Sequence, residues 1–222
     1  MRLCLDHPWL TLDLGQEMRL ISWAPHRGGL TTARHILWRE VRNADLTEDF
    51  DVLAWLKQEC AARGMADAVA MLTSRKIATF SRAERVVGTV RAQAVATVGL
   101  SNAERAGDDM SPSDAPRSGY GTINIAVMID LPLDDVGLIE AQSIASAART
   151  AAVLESGAMS LDGPATGTGT DCIVVAAPAG EMPFCGLHTP QGKAIAAAVY
   201  AAVRAGADQW IAETGGKPYD LG

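Results

Sequence analysis

The sequence predicts an α+β fold in which helices pack on a largely antiparallel or mixed sheet, and three observations predict it. Stretches that alternate apolar and polar residues outnumber stretches with helical spacing. Several alternating stretches are consecutive, which a strictly alternating doubly wound sheet does not allow. The two longest helical patterns come late in the chain. At 222 residues there is material for one sizeable core. Residues 1–222 are therefore expected to form a single domain, with N-terminal strands over 1–45 and the unusual polar motifs over 92–205.

The elements follow in order. Leu3 to Leu14 and Met18 to Trp23 alternate in part and are joined at Gly15-Gln16-Glu17, which reads as a hairpin. A further run, His35 to Val41, extends the same sheet. From Asp49 to Arg63, Val52, Leu53, Leu56 and Cys60 recur at helical spacing, and Gly64 suits a C-terminal cap. After a short strand at Ala68 to Thr73, Val86 to Leu100 keeps strict period two and reads as one long strand. Ser101 to Tyr120 is polar and rich in Gly, Pro and Ser, so it is expected to be a mobile lid. Ile123, Ile125, Val127 and Ile129 mark another strand, with Asn124 on its other face.

Asp134 or Asp135 can cap a helix to about Glu155, with Val136, Ile139, Ser143, Ala147, Ala151 and Leu154 along one face. Cys172 to Ala177 reads as a buried strand. Thr189-Pro190 is an N-cap followed by proline at the first helical position, and Ile195, Val199 and Val203 carry the apolar stripe to Gly206.

Composition narrows the function classes. The net charge of −7 and pI near 5.1 argue against a nucleic-acid partner, which usually demands a basic face. No run approaches the roughly 20 apolar residues of a membrane span, and Asp6, His7 and Asp13 interrupt any leader-like start, so no membrane partner and a cytoplasmic location are expected. The four cysteines lack paired metal spacing and read as buried free thiols. The histidines show neither a helical pair nor a His-x-Glu arrangement, so no metal and no cofactor are expected. A homo-oligomer is compatible with the sequence.

The most unusual segment is Ala165-Thr166-Gly167-Thr168-Gly169-Thr170-Asp171, placed directly before a strand. It reads equally as an anion nest, an oxyanion loop or a polar turn, but not as a P-loop, since it has no lysine and no following helix. His188 precedes a helix start whose positive end would favour a neutral imidazole able to act as a base. The amides of Gln191 and Gly192 could bind a developing oxyanion there. Asn124 and the pair Ser101-Asn102 flank the polar loop and could position a carbonyl. Each feature alone also has an ordinary structural reading.

Together, Ala96-Thr97-Val98-Gly99-Leu100-Ser101-Asn102-Ala103, Gly121-Thr122-Ile123-Asn124-Ile125, Thr166 to Asp171, and Gly186-Leu187-His188-Thr189-Pro190-Gln191-Gly192 resemble the adenosylcobinamide amidohydrolase family. The resemblance spans Ala92 to Ala205. It implies a corrinoid small-molecule substrate and hydrolysis of the amide joining the corrin propionamide arm to aminopropanol, giving adenosylcobyric acid. The Asp-x-His-x-x-Gly cobalamin signature is absent, since Asp6 and His7 are adjacent.

Within that resemblance, His188 is expected as the acid/base, assisted by Asp171. Gln191 and Gly192 would supply oxyanion donors, and Asn102, Asn124, Thr166, Thr168, Thr170 and Thr189 would hold substrate. Direct attack by water competes with an acyl-enzyme on Thr168, Thr170 or Cys172. The rival readings are a corrinoid-binding module without chemistry and a phosphate binder centred on the Gly/Thr loop.

Overall fold

The computed structural model describes residues 1–42, 50–107, 121–160 and 163–216. In chain order the elements are β1 (Arg2–Asp6), β2 (Trp9–Ser22), β3 (Gly29–Glu40), α1 (Val52–Ala62), β4 (Val69–Thr73), β5 (Ser81–Val87), β6 (Val90–Val98), β7 (Ala103–Glu104) and β8 (Ile123–Ile129). They continue with α2 (Asp135–Ser156), β9 (Met159–Ser160), β10 (Gly163–Pro164), β11 (Gly167–Thr168), β12 (Cys172–Ala177) and α3 (Pro190–Thr214). The main sheet runs β4-β3-β2-β12-β8-β6-β5, with β1 paired to β2. Its β3–β4 and β12–β8 pairs are parallel and the others antiparallel, so the expected mixed α+β fold is the observed one.

Both faces of the sheet are buried. On one, Ile123, Ile125, Val127 and Ile129 of β8 pack with Ile173 and Val175 against the alanine-rich faces of α2 and α3. On the other, Leu10, Leu12, Leu20, Trp38 and Met71 enclose Val95, Ala126 and Val174. That second face is closed by the sheet itself, which curls until β4 lies over β8. The side-chain amide of Asn124 donates to the carbonyl of Leu72, the Trp38 indole donates to the carbonyl of Asn124 at 3.4 Å, and the hydroxyls of Thr73 and Thr97 meet at 3.4 Å. Helix α1 covers β3 and β4 from outside through Leu56 and Cys60.

Local chemistry explains where the sequence reading holds. Asp134 caps α2 by accepting from the Gly137 amide at 2.8 Å, and Gly157 closes that helix in the left-handed region at φ 79°. Thr189 caps α3 by accepting from the Gly192 amide at 3.1 Å, with Pro190 at the first helical position.

Other expectations are corrected. Gly15-Gln16-Glu17 is not a hairpin turn: β2 passes straight through it, with a register shift against β3 between Asp13 and Met18. Gly15, at φ 86°, donates to Asp13 Oδ1 at 2.9 Å, which makes a bulge that bends the strand. The hairpin turn lies instead between β1 and β2, at His7-Pro8.

The single strand expected over Val86 to Leu100 is the end of β5, a tight turn at Gly88-Thr89, and β6. A two-residue turn leaves the alternation almost unbroken, which hides it from a periodicity argument. The apolar face read for α2 is its outward one, since Val136 and Ile139 are exposed while Leu138, Ala141, Ala145 and Ala152 are buried. Helix α3 does not stop at Gly206. A Cβ there would lie 2.6 Å from Val98, so this glycine permits close helix-to-sheet packing mid-helix.

Of the lid expected over Ser101 to Tyr120, residues 108–120 lie outside the described residues. Its first part is ordered by β7, which pairs with β11.

Candidate active site

At the edge where β8 and β12 begin, three of the four polar motifs converge. The parallel register sets Cys172 beside Asn124, so Thr122 and Asp171 emerge at the same end of adjacent strands. Thr122 donates to the carbonyl of Thr170 at 2.7 Å, and Thr170 donates to the carbonyl of Gly121 at 3.2 Å. Asn102 joins them from the loop after β6, its side-chain carbonyl accepting from the Gly121 amide at 3.1 Å. Its amide nitrogen lies beside Gly169, 3.8 Å from where a Cβ would sit. No described residue accepts a hydrogen bond from that nitrogen.

Gly121, Thr122 and Gly169 border a cleft of about 500 Å³, with Trp23, Pro25, Val41 and Leu72 as apolar walls and Thr73, Ser74, Asn124, Thr170 and Asp171 as polar ones, and Asn102 stands behind Gly121 and Gly169. The curl of the sheet creates it, because Leu72 and Thr73 come from the edge strand β4 folded over β8 and Ser74 follows them. Asn124 and Thr122 are buried in its floor and hydrogen-bonded to each other at 3.4 Å. Thr166 sits beside this group as a structural tie, accepting from the Ala106 amide at 2.8 Å.

Asp171 is the hub of this mouth. Its carboxylate pairs with Arg149 of α2, accepts from the Thr168 hydroxyl, and accepts the amides of Thr168 and Ile123 at 3.1 Å each. Its backbone carbonyl accepts the Trp23 indole N–H. A carboxylate with its lone pairs committed to four donors is a holder of structure rather than a ready proton acceptor. Burial pulls the Arg149 pKa down and pushes the Cys172 thiol up to about 12, so that sulfur stays protonated at neutral pH. That disfavours an acyl-enzyme on Cys172.

The fourth motif lies elsewhere. His188, Thr189, Gln191 and Gly192 stand where α3 begins, beyond the C-terminal end of β12, whereas Asp171 precedes that strand's first residue. Helix α2 measures the gap: Glu140 accepts from the Cys185 amide, and Arg149 pairs with Asp171. These contacts are nine residues apart on α2, roughly 13 Å along the helix axis at 1.5 Å per residue. Asp171 and His188 therefore do not form the expected pair. The connection from β12 to α3 stays at one end of the sheet instead of returning.

Of the two expected oxyanion donors, the backbone amide of Gly192 is engaged. The Gly192 amide is taken by the Thr189 cap, and Gln191 donates its side-chain amide to the carbonyl of Phe184 at 2.7 Å. A Cβ on Gly192 would lie 2.1 Å from the Gly186 carbonyl oxygen, so this motif builds a tightly closed helix start. His188 is exposed beside it.

A model of the adenosylcobinamide amidohydrolase family (CbiZ) matches residues 2–215. The chain belongs to that family. The match takes in the N-terminal strands as well as the polar motifs, so the walls that Trp23 and Leu72 give the cleft are part of the family domain. Amide hydrolysis on a corrinoid small molecule is what the family name implies. No curated protein matches the chain. A solved structure, that of the PH0078 protein from Pyrococcus horikoshii OT3, is similar at 11% identity and a TM-score of 0.47, over 89% of this chain and 76% of that one.

For this member of the family, sequence reasoning reached Asn102, Asn124, Thr168, Thr170 and Asp171 of the cleft region and missed Arg149, Trp23, Thr73 and Ser74. A signal was available for one of them. Thr73 and Thr97 are hydroxyls in otherwise apolar strands, which calls for a partner across the core. Arg149 is a single arginine in a helix and carries no local mark. Among the described residues no three of His, Cys, Asp or Glu cluster as metal ligands, and no helix is long and apolar enough to cross a membrane.

Proposed function

We propose that this chain hydrolyses the amide joining the corrin propionamide arm of adenosylcobinamide to aminopropanol, giving adenosylcobyric acid for corrinoid salvage, and that the arm enters the cleft at the β8–β12 mouth. The observation that carries the placement is Asn102. Its side-chain carbonyl is fixed by the Gly121 amide, while its amide nitrogen lies beside Gly169 of the cleft wall without a partner among the described residues. A donor held in this way suits a substrate carbonyl oxygen, whose charge grows as the amide is attacked.

The size of the cleft supports the same reading. About 500 Å³ holds an arm, whereas a whole corrinoid must rest outside, against the exposed Trp23 and Pro25 rim. In the reaction, water oxygen adds to the amide carbon, the C–N bond breaks, and both protons of the water pass to the departing nitrogen. The products are a carboxylate on the corrin and aminopropanol as its ammonium. Asp171 and Thr168 act in this account by holding the Gly169–Thr170 wall. Asn124 and Thr122 act as its floor, and His188 with Thr189, Gln191 and Gly192 maintains the opposite end.

The experiment is release of aminopropanol from adenosylcobinamide by purified protein. Stoichiometric release with adenosylcobyric acid is expected. Tight corrinoid binding without release would favour the non-catalytic binding module, which the same cleft could also serve.

A further inference from the structure

The segment that forms the polar wall of the cleft, Gly169 to Asp171, belongs to a loop with only a two-residue strand, β11, of its own. Left to its backbone, such a loop would sample many conformations. It is held from three directions at Asp171: by Arg149 from α2, by the Ile123 amide from β8, and by the indole of Trp23, the residue that follows β2. The Thr168 hydroxyl and amide close the loop onto the same carboxylate. The two charged side chains are largely buried, 17% exposed for Arg149 and 6% for Asp171.

Gly167 is shaped around the pair. A Cβ there would meet Arg149 Nη1 at 1.8 Å and Asp171 Oδ2 at 2.5 Å. Burying such a pair is an expensive route to stability, since apolar residues of similar volume usually serve as well or better. What the ion pair offers instead is direction: a guanidinium fixes both the position and the orientation of the carboxylate. Here the fixed carboxylate belongs to a residue that itself lines the cleft, next to Gly169 and Thr170.

We infer that Arg149 is a positioning residue of this amidohydrolase: through Asp171 it sets the Gly169–Thr170 wall at the distance from Asn102 that the substrate amide needs. The inference rests on the proposed chemistry at the mouth. A displacement of about 1 Å in such a wall can cost on the order of 100-fold in turnover.

The test uses R149M, R149K and T168V. Each is assayed for kcat and KM on adenosylcobinamide and for the indole N–H resonance of Trp23, identified by its loss in W23F. R149M is expected to lose about 100-fold in kcat with a smaller change in KM and a shifted Trp23 signal. R149K should recover about tenfold of that loss. T168V, which removes one hydroxyl from the carboxylate, should fall about tenfold in kcat and shift the same signal.

If R149M does not fold, R149K and T168V carry the test. Wild-type kcat with an unmoved Trp23 signal in the folded variants overturns the inference. If wild-type protein releases no aminopropanol, the proposed reaction fails while the Trp23 signal still decides the clamp: a shift in R149K and T168V supports it, and none overturns it.

Discussion

The two ends of the β8–β12 pair invite comparison, because each is built from a Gly/Thr-rich motif and each carries one residue that chemistry would notice. At the Asp171 end the motif opens a cleft, and Asn102 keeps a donor free beside it. At the His188 end the same residue types are consumed by a helix start, where Thr189 caps α3 and Gln191 ties down Phe184. Glycine and threonine together are therefore ambiguous. What separates a site from a joint is whether the polar groups are spent on the protein itself.

The comparison breaks if the wrong end proves chemical. N102A should lose about 100- to 1,000-fold in kcat on adenosylcobinamide, the magnitude of removing one donor from a developing oxyanion. H188A should stay within a few-fold of wild type, measured in the same assay. The opposite ranking would move the site to the α3 end.

Two glycine replacements sharpen the contrast. G167A forces the Arg149–Asp171 pair apart and should lower turnover by about tenfold or more in protein that still folds. G192A drives a methyl into the carbonyls of Cys185 and Gly186, and should cost about 1–3 kcal/mol of stability while the folded fraction keeps its kcat. Denaturant titration beside initial rates separates the two.

These pairs also show what the sequence could and could not reveal. Caps and turns are chemistry between near neighbours, so Asp134, Gly157 and Thr189-Pro190 announced their helices. The bulge at Gly15 and the tight turn at Gly88 did not, because a strand that bends and a strand that reverses share glycine and alternation. Pairing Asp171 with His188 failed for a topological reason. About 17 residues separate them, but the intervening central strand β12 carries the chain from one end of the strands to the other. Arg149 was invisible because its meaning depends wholly on Asp171, which arrives from another element.

A smaller effect concerns Cys172, which lines the cleft. Its thiol, pushed up to about 12 by burial, is protonated at neutral pH, and its thiolate fraction rises only as pH climbs toward that value. Iodoacetamide at pH 8 should therefore leave activity nearly unchanged, and C172S should retain most of its kcat. Rapid inactivation at pH 8, prevented by substrate, would instead identify a reactive thiol and revive the acyl-enzyme route.

A crystal structure of the D171N or N102A variant with adenosylcobinamide shows whether the substrate amide lies at the β8–β12 mouth. The aminopropanol arm is expected inside the cleft, its amide beside residue 102 and Thr170, with the corrin against Trp23 and Pro25. An arm seated instead against His188 at the start of α3, with the mouth empty, would contradict that placement.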